Sequence, residues 1–437
     1  MDYTEALQRL HSLARFGSKP GLERITALLE RLGRPQDKVP AVHIAGTNGK
    51  GSVAALLSSI CQAAGCRTGL FTSPHLVRYN ERIRLDGRPI SDDELADLIA
   101  QVWPLVKDEG LIGEYGHPTE FELGTALAFL YFAELGVDLA IIEVGLGGRL
   151  DATNVIIPEV AVITKIAFDH ASQLGTTLSA IAKEKAGIIK EGRPVVSGPQ
   201  EDEAREVIAR VAQERHAPLL QVGSDVEYEL IDWGLWGTEL SYQGRRWQEK
   251  RLTMGLAGPH QAVNGGTALA AAEMLAEEGW GITAQAVREG LRRARWPGRF
   301  EIVQQRPTVI FDGAHNPDGA RALGEALQAA LPGRPIVYVM AILGEKEPAK
   351  ILASLLPLGE KVVFTRPSSS RSAPSDPAEL AALARPYGIE SHIEGDPQRA
   401  LEWAMQRAGE EGVVCICGSL YLVGELRGLW PLENSRS

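Results

Sequence analysis

The sequence contains few cysteines, with four among 437 residues. They fall as two close pairs, Cys61 with Cys66 and Cys415 with Cys417, and neither spacing matches the paired C-x2-C arrangement of a structural zinc site. Cys415 and Cys417 lie in an apolar run typical of a strand, where cysteine behaves as a small core hydrophobe. We therefore expect buried, reduced thiols and assign them no chemistry.

The chain also lacks any apolar run near the ~20 residues that a membrane-spanning helix requires. Its first residues, Met1 to Glu5, have neither the basic segment nor the apolar core of a signal peptide. Positive charge is scarce, because 45 Lys and Arg face 56 Asp and Glu and the net charge is -11. A nucleic-acid surface needs clustered Lys and Arg. We therefore expect a cytoplasmic protein that binds neither membranes nor nucleic acid.

What the sequence does contain is a regular alternation of strand-like and helical patterns. Apolar runs typical of buried strands occupy residues 42–45, 139–142, 160–163, 309–311 and 336–339. Strands that alternate with amphipathic helices predict an α/β fold, in which a mostly parallel sheet is covered on both faces. Residues 226–254 differ, since their alternating Trp and Tyr residues and turn glycines predict an antiparallel patch.

A domain boundary is expected where the helical pattern before residue 297 breaks. Pro297 and Gly298 interrupt that pattern, and a new series of strands and helices begins at Glu301. The sequence therefore predicts two domains, over residues 1–296 and 297–437.

The strongest local signal is a glycine-rich loop between a strand and a helix, Gly-Thr-Asn-Gly-Lys-Gly-Ser at residues 46–52. In such a loop, backbone N–H groups converge on phosphate oxygens, while Lys50 supplies a cation and Ser52 a hydroxyl group. The loop departs from the usual G-x4-G-K-[ST] pattern, because Ile44 occupies the first glycine position and Gly51 separates Lys50 from Ser52. A loop that only reverses the chain is the alternative, but a lysine between two glycines after a buried strand favours nucleotide binding.

Polar residues also follow three later strand-like runs. Ser73, Glu143 and His170 stand at these ends, and ligands of parallel sheets bind at the carboxyl ends of strands. Glu143 is typical of the acidic residue that binds Mg²⁺ beside a nucleotide. His170 is ambiguous, since a structural histidine is the alternative and nitrogen ligands suit softer metals. A second metal site that tolerates Mn²⁺ would explain a histidine ligand at this position.

Four motifs together resemble those of folylpolyglutamate synthases and dihydrofolate synthases, a family of the Mur ligase superfamily. They lie at residues 46–52, 72–76, 143–154 and 312–317, in the family's order, and the resemblance covers nearly the whole chain. It implies an N-terminal P-loop ATPase domain with a mostly parallel sheet, a smaller C-terminal Rossmann-like domain, and an active site in the cleft between them. It also implies an ATP-dependent monomeric ligase that adds L-glutamate to folates, and to dihydropteroate as well.

The resemblance further assigns roles to individual residues. Residues that would bind ATP are Asn48, Gly49, Lys50, Gly51, Ser52, Asn264, Arg299 and Asp312. Residues that would hold two Mg²⁺ ions are Ser73, Glu143 and His170. Residues that would line the pteroate pocket are Lys19, Pro20, Gly21, Thr119, Glu120, Phe121, Glu122, Leu150, Asp151 and Ala152. Residues assigned to catalysis are Lys50, Lys185 and His315.

Several of these assignments have a structural alternative. Lys185 matches a lysine that family members carbamylate, and a carbamate beside two divalent ions is electrostatically sensible, but a solvated helix lysine is the alternative. Phe121 is equally compatible with a core aromatic. His315 is either close to the chemistry or structural. Lys19 replaces an acidic residue of some relatives that use dihydropteroate, which argues against that activity and leaves glutamate ligation untouched.

The predicted mechanism begins when the substrate carboxylate attacks the γ-phosphate of ATP, with Lys50 and the metals offsetting charge on the phosphate oxygens. The amine of glutamate then attacks the acyl phosphate.

A muramyl-peptide ligase with a UDP-linked substrate is the nearest alternative, although residues 72–76 and 150–154 favour folate. A nucleotide-dependent switch would turn over ATP without any carboxylate substrate. A simple kinase would release a stable phosphorylated product and ignore glutamate.

Overall fold

An eight-stranded sheet forms the centre of the first half of the chain. The computed structural model describes residues 1–17, 20–169, 171–344, 346–370 and 372–431. The strands of this sheet are β1 (Ala41–Ala45), β2 (Thr68–Phe71), β3 (Ile83–Leu85), β4 (Arg88–Pro89), β5 (Leu139–Glu143), β6 (Val160–Ile163), β7 (Val195–Ser197) and β8 (Leu219–Gln221). Their order is β4-β3-β2-β5-β1-β6-β7-β8, and all neighbours are parallel except at the β3 and β4 edge.

The two central strands, β1 and β5, are buried at every position, as expected of apolar runs covered on both faces. The helices of this half are α1 (Tyr3–Ser12), α2 (Glu23–Arg31), α3 (Lys50–Ala63), α4 (Asp92–Val106), α5 (Glu109–Tyr115), α6 (Glu120–Glu134), α7 (Ala171–Leu174), α8 (Leu178–Ala186), α9 (Asp202–Glu214), α10 (His260–Glu277) and α11 (Ala284–Arg293). Helix α3 begins at Lys50, within the glycine-rich motif, so β1 and α3 together hold that loop in place.

A small antiparallel sheet covers α10. It consists of β9 (Glu227–Gly234), β10 (Gly237–Gln243) and β11 (Gln248–Met254), in the order β11-β10-β9. The carboxylate of Glu273 on α10 is fully buried and accepts hydrogen bonds from the Tyr242 hydroxyl at 3.0 Å and the Trp247 N–H at 3.0 Å. It also accepts from the N–H groups of Arg245 at 3.1 Å and Arg246 at 2.8 Å. One side chain thus ties the β10–β11 turn to the helix.

The Glu273→Gln variant is expected to lower the free energy of unfolding by about 2–3 kcal/mol, because an amide cannot accept all of these hydrogen bonds and loses the charge that strengthens them. Urea denaturation measures the change. Glu278→Gln, at an exposed position just after the same helix, is the matched control and should change stability by less than about 0.5 kcal/mol. Equal denaturation midpoints for the two variants would contradict a structural role for the buried carboxylate.

A third sheet organises the last third of the chain. Its strands are β12 (Glu301–Gln305), β13 (Thr308–Phe311), β14 (Ile336–Met340), β15 (Lys361–Phe364), β16 (Glu390–Ile393) and β17 (Val413–Cys417), in the order β12-β13-β17-β14-β15-β16. All neighbours are parallel except β12 with β13. The helices are α12 (Pro317–Ala330), α13 (Pro348–Leu355), α14 (Pro377–Ala384), α15 (Pro397–Ala408) and α16 (Leu420–Arg427).

The predicted α/β class, with a large, mostly parallel sheet and a second C-terminal α/β region, is confirmed, and so is the antiparallel patch. Cys61, Cys415 and Cys417 are buried as expected. Cys66 is half-buried, so the expectation of burial is wrong there, because this residue lies in the short connection between α3 and β2. Over the part of the chain that the structure describes, no helix combines the length and apolar character needed to cross a membrane.

Candidate active site

The glycine-rich loop adopts a conformation that requires glycine. Gly49 has φ of +90°, and a Cβ atom there would lie 2.3 Å from Oδ1 of Asn264 on α10. The segment after β6 supports the loop from the other side, since the Thr47 N–H donates to the Lys165 carbonyl at 2.9 Å and the Thr164 hydroxyl donates to the Asn48 carbonyl at 2.8 Å. The loop is therefore held between β6 and α10.

A cavity of about 530 Å³ lies against this loop, and both halves of the chain line it. The sequence-predicted residues that it brings together are Asn48, Gly49, Lys50, Gly51, Ser52, Ser73, Glu143, Lys185, Asn264, Arg299, Asp312 and His315. All twelve were assigned to ATP, metal or catalysis. The volume is in the range of small-molecule sites, which are about 300–1,000 Å³.

Two lysines converge on one carbonyl group of the loop. The Nζ atom of Lys185 donates to the Gly46 carbonyl at 2.8 Å, and Nζ of Lys50 donates to the same oxygen at 3.0 Å. Lys185 is 4% exposed, so the alternative of a solvated helix lysine is wrong. Burial, and then the nearby charge of Lys50, lowers the pKa of Lys185 to about 7. A sizeable fraction of this amine is therefore neutral near pH 7.

Glu143 ends β5 at the wall of the cavity. Burial raises the pKa of its carboxyl group to about 7, against the opposing influence of Lys50 and of the Ser73 N–H, which donates to Oε2 at 3.3 Å. A buried carboxylate beside the hydroxyl groups of Ser73 and Ser52 is a set of hard oxygen donors, and it fits Mg²⁺.

The other predicted metal ligand, His170, lies outside the described residues. Among those that are described, no three His, Cys, Asp or Glu side chains form a metal-binding cluster.

On the C-terminal side, Asp312 organises the end of β13. Its Oδ2 accepts from the Phe300 N–H at 2.8 Å and its Oδ1 from the Ala314 N–H at 2.8 Å. His315 Nδ1 donates to the Gly313 carbonyl at 2.7 Å, which orients the ring in the cavity wall. Asp312 thus fixes the loop that carries His315.

The sequence analysis missed a polar network that joins the two halves beside the loop. Nδ2 of Asn48 donates to Asp318 Oδ2 at 2.9 Å, and Nδ2 of Asn316 donates to Asn48 Oδ1 at 3.0 Å. Lys165 pairs with Asp318 at 3.1 Å, and Lys346 forms a largely buried ion pair with Asp169. Asn316 lies within the 312–317 motif that contains His315, and Asp318 directly follows it. The motif alone gives no indication that these residues bind Asn48, which is about 270 residues away in the sequence.

The residues predicted to line a pteroate pocket are placed differently. Lys19 lies outside the described residues, and of the other nine, all of which are described, none lines the main cavity. Thr119 and Glu122 form a capping box at the start of α6, and Glu122 also pairs with Arg24 at 3.1 Å. The carboxylate of Asp151 accepts from the Leu146 N–H at 2.8 Å within its own loop.

Phe121 packs as the core aromatic that the sequence allowed as the structural alternative. Its ring packs against the core formed by α1, α2, α4 and α6. The same ring lies against Gly145, where a Cβ atom would be 2.5 Å from its Cζ, and Gly145 lines the main cavity. Phe121 is therefore a core aromatic that also backs the cavity wall.

This fold and site belong to a known class of enzyme. A family model described as the Mur ligase middle domain matches residues 44–272, and one described as the Mur ligase glutamate ligase domain matches residues 298–420. The protein is thus a ligase of the Mur type.

Relatives that match this chain over nearly its whole length identify the family within this class. A dihydrofolate synthase/folylpolyglutamate synthase of Bacillus subtilis is 40% identical, over 97% of this chain and 98% of the relative. A structure of Mycobacterium tuberculosis folylpolyglutamate synthase complexed with ADP and AMPPCP has a TM-score of 0.91 at 36% identity, over 99% of this chain and 100% of the other. An Escherichia coli relative in complex with DHPP and ADP has a TM-score of 0.87 at 32% identity, over 98% and 97%. The chain belongs to the folylpolyglutamate synthase/dihydrofolate synthase family, which confirms the predicted resemblance.

Proposed function

We propose that this enzyme uses ATP to activate the carboxylate of a folate as an acyl phosphate and then joins L-glutamate to it. The observation that carries the proposal is the single cavity in which Lys50, Glu143 and Asn264 meet Arg299 and Asp312 from the other half of the chain. A site built from two halves can enclose the acyl phosphate and keep water from hydrolysing it.

The residue roles are part of this proposal, and for the described residues they are supported by a place in the cavity wall. Residues 48–52 and Asn264 bind the phosphates of ATP, and Arg299 and Asp312 contact the nucleotide from the C-terminal side. Glu143 and Ser73, with His170, hold Mg²⁺, which supplies positive charge to the phosphate oxygens. Lys50 offsets the charge that develops on the transferred phosphoryl group. His315 contacts the reacting groups, a role supported by its place in the wall of the same cavity.

The remaining proposals concern substrates and organisation. Residues 19–21, 119–122 and 150–152 bind the pteroate portion of the acceptor, and dihydropteroate is a second acceptor. Residues 1–296 and 297–437 form the ATP-binding and Rossmann-like domains, and the enzyme works as a cytoplasmic monomer.

The test is ATP-dependent incorporation of labelled L-glutamate by the purified protein, with tetrahydrofolate and dihydropteroate as parallel acceptors. Incorporation with both defines a bifunctional enzyme, and incorporation with tetrahydrofolate alone defines a dedicated folylpolyglutamate synthase. The rate of ATP turnover should be close to zero until the acceptor and glutamate are both present. No incorporation with either acceptor, or rapid ATP turnover in their absence, would overturn the proposal.

Lys185 is expected to react with CO2 to form a carbamate. The neutral amine is the reactive form, and because its pKa is lowered to about 7, that form predominates as the pH rises above 7. A ¹³C NMR spectrum of the protein in ¹³C-bicarbonate should show a carbamate signal that grows between pH 6.5 and 8.

Two variants serve as controls for this signal. It should vanish in Lys185→Arg and remain in Lys183→Arg, which changes an exposed lysine two residues earlier on α8. A spectrum that is identical for the wild type and Lys185→Arg would rule the carbamate out.

A further inference from the structure

A second, smaller cavity of about 50 Å³ opens beside the first. It shares Gly51, Ser73, Glu143 and Arg299 with the main cavity, so the two spaces meet at the phosphate loop and the proposed metal ligands. Its wall also contains Arg84 and Trp296, which do not line the main cavity. Sites for whole small molecules are about 300 Å³ or larger, so this space admits one small group, such as a carboxylate, of a ligand bound next door.

Arg84 is a half-buried cation in the wall of this small cavity. Its Nε donates to the Glu81 carbonyl at 3.1 Å, and its guanidinium lies 5.3 Å from the centre of the Trp296 ring. Among the residues that the structure describes, no carboxylate forms an ion pair with it. Burial lowers the pKa of the guanidinium, and the charge of Glu81 opposes this only in part. Partial desolvation of a cation that has no ion pair costs free energy, and a bound anion would offset that cost.

Trp296 lies between the Arg84 guanidinium and the phosphate loop. A Cβ atom at Gly51 would be 2.7 Å from Nε1 of Trp296, so the indole packs directly on the phosphate loop. The indole also packs against the core that contains α3 and α10. Arg84 is therefore separated from the phosphate loop by one well-supported aromatic ring.

The identity of the anion follows from the reactants. The phosphates of ATP are assigned to Lys50 and the loop, which leaves the carboxylates of the acceptor and of the incoming glutamate. The main cavity offers further cations on its C-terminal wall, Arg321 and Lys346, whereas Arg84 lies on the N-terminal half beside Ser73. That half also carries Phe121, on the side where the acceptor is proposed to bind. An acceptor that ends in glutamate keeps an α-carboxylate roughly 5 Å, or four carbon–carbon bonds, from the γ-carboxyl carbon that reacts.

We propose that Arg84, supported by Trp296, binds the α-carboxylate of the terminal glutamyl residue of the acceptor and thereby presents its γ-carboxylate to the phosphate loop. This inference rests on the proposed function and adds a carboxylate subsite to it. The planar guanidinium can make two parallel hydrogen bonds to a carboxylate, which fixes orientation as well as affinity. The subsite selects the γ-carboxyl group over the α-carboxyl group.

The test compares tetrahydrofolate with its α-carboxamide, in which the γ-carboxylate is free and the α-carboxylate is replaced by a neutral amide. The wild type is expected to prefer tetrahydrofolate by about 10- to 100-fold in kcat/KM, the range for a charge-assisted hydrogen bond. Arg84→Gln should abolish this preference and leave the KM for L-glutamate unchanged. Arg84→Lys should keep part of the preference, since it retains the charge and loses the planar fork.

The matched control is Arg407→Gln, which removes an exposed arginine from the face of Trp403, 5.6 Å away, far from both cavities. It should retain the wild-type preference, and thermal unfolding should show that all variants are folded. Three results for Arg84→Gln would overturn the subsite. They are an equal loss of kcat/KM for both acceptors, a raised KM for L-glutamate, and an unchanged preference for tetrahydrofolate over its α-carboxamide. Wild-type protein that incorporates no glutamate with any acceptor would overturn the proposed function itself, which is a different result.

Discussion

Replacing Lys50 by alanine is expected to lower kcat for glutamate ligation by on the order of 10²- to 10³-fold, the usual effect of removing one group that stabilises developing charge. Lys50 begins α3 and lines the cavity beside Glu143. Its Nζ donates to the carbonyls of Gly46 at 3.0 Å and Thr47 at 3.2 Å. Initial rates of glutamate incorporation at saturating ATP measure the effect.

Lys350→Ala is the matched control for this variant. Lys350 is an exposed lysine at the start of α13, and its ion pair with Glu347 is local. Its removal should leave both ligation and unfolding unchanged within error, because exposed pairs contribute little. A Lys50→Ala enzyme with wild-type kcat would show that the loop lysine takes no part in phosphoryl transfer.

The second large effect is expected at Gly424, where the two halves of the chain meet backbone to backbone. This residue lies within α16, and a Cβ atom there would be 1.8 Å from the carbonyl oxygen of Leu76. The Leu76 segment follows Ser73 and Pro74, so Gly424→Ala must push the C-terminal half away from the proposed metal site. A displacement of about 1 Å costs on the order of 10²-fold in rate, and we expect kcat/KM to fall by that amount.

Gly428→Ala provides the comparison. Gly428 is one turn later, and its Cβ would make ordinary contacts of 3.4 Å with Glu425 and Val77. This variant should keep nearly full activity. Thermal unfolding distinguishes displacement from denaturation, since Gly424→Ala should lose far more activity than stability. If both variants are equally active, the contact between α16 and the Leu76 segment does not control the geometry of the site.

Much of this architecture could be predicted because it depends on patterns within short stretches of sequence. The buried strands β1, β5 and β6 are continuous apolar runs, and their bounds agree with the predicted ones to within one residue. The glycine-rich loop was recognisable because Gly49 and Lys50 stand between a strand and a helix. Ser73 and Glu143 lie at the ends of neighbouring parallel strands of the first sheet, and they were predicted to contribute to one site because ligands bind at the carboxyl ends of such strands. Asp312 follows a strand of the other parallel sheet, and only the family resemblance assigned it to the site.

Other features were beyond prediction from sequence. Asn48 and Asp318 are 270 residues apart and form one hydrogen bond. The burial of Lys185 could not be predicted from the sequence, because a lysine in a short helix with a basic last turn is typical of a solvated surface. Arg84 lies in none of the motifs that the sequence analysis singled out, and its proximity to Trp296 depends on how the segment after α11 folds back onto the phosphate loop.

The sequence by itself determined the α/β class, the phosphate loop and the family, because those depend on the periodicity of apolar residues and on motifs contained within a few residues. The tertiary structure alone decided which cations are buried, which side chains meet across the cleft, and that a small cavity at Arg84 adjoins the main one. The physical reason is that burial and electrostatic environment depend on contacts between segments far apart in the chain. The same lysine or arginine is therefore an ordinary surface charge or a reactive, desolvated group according to what folds against it.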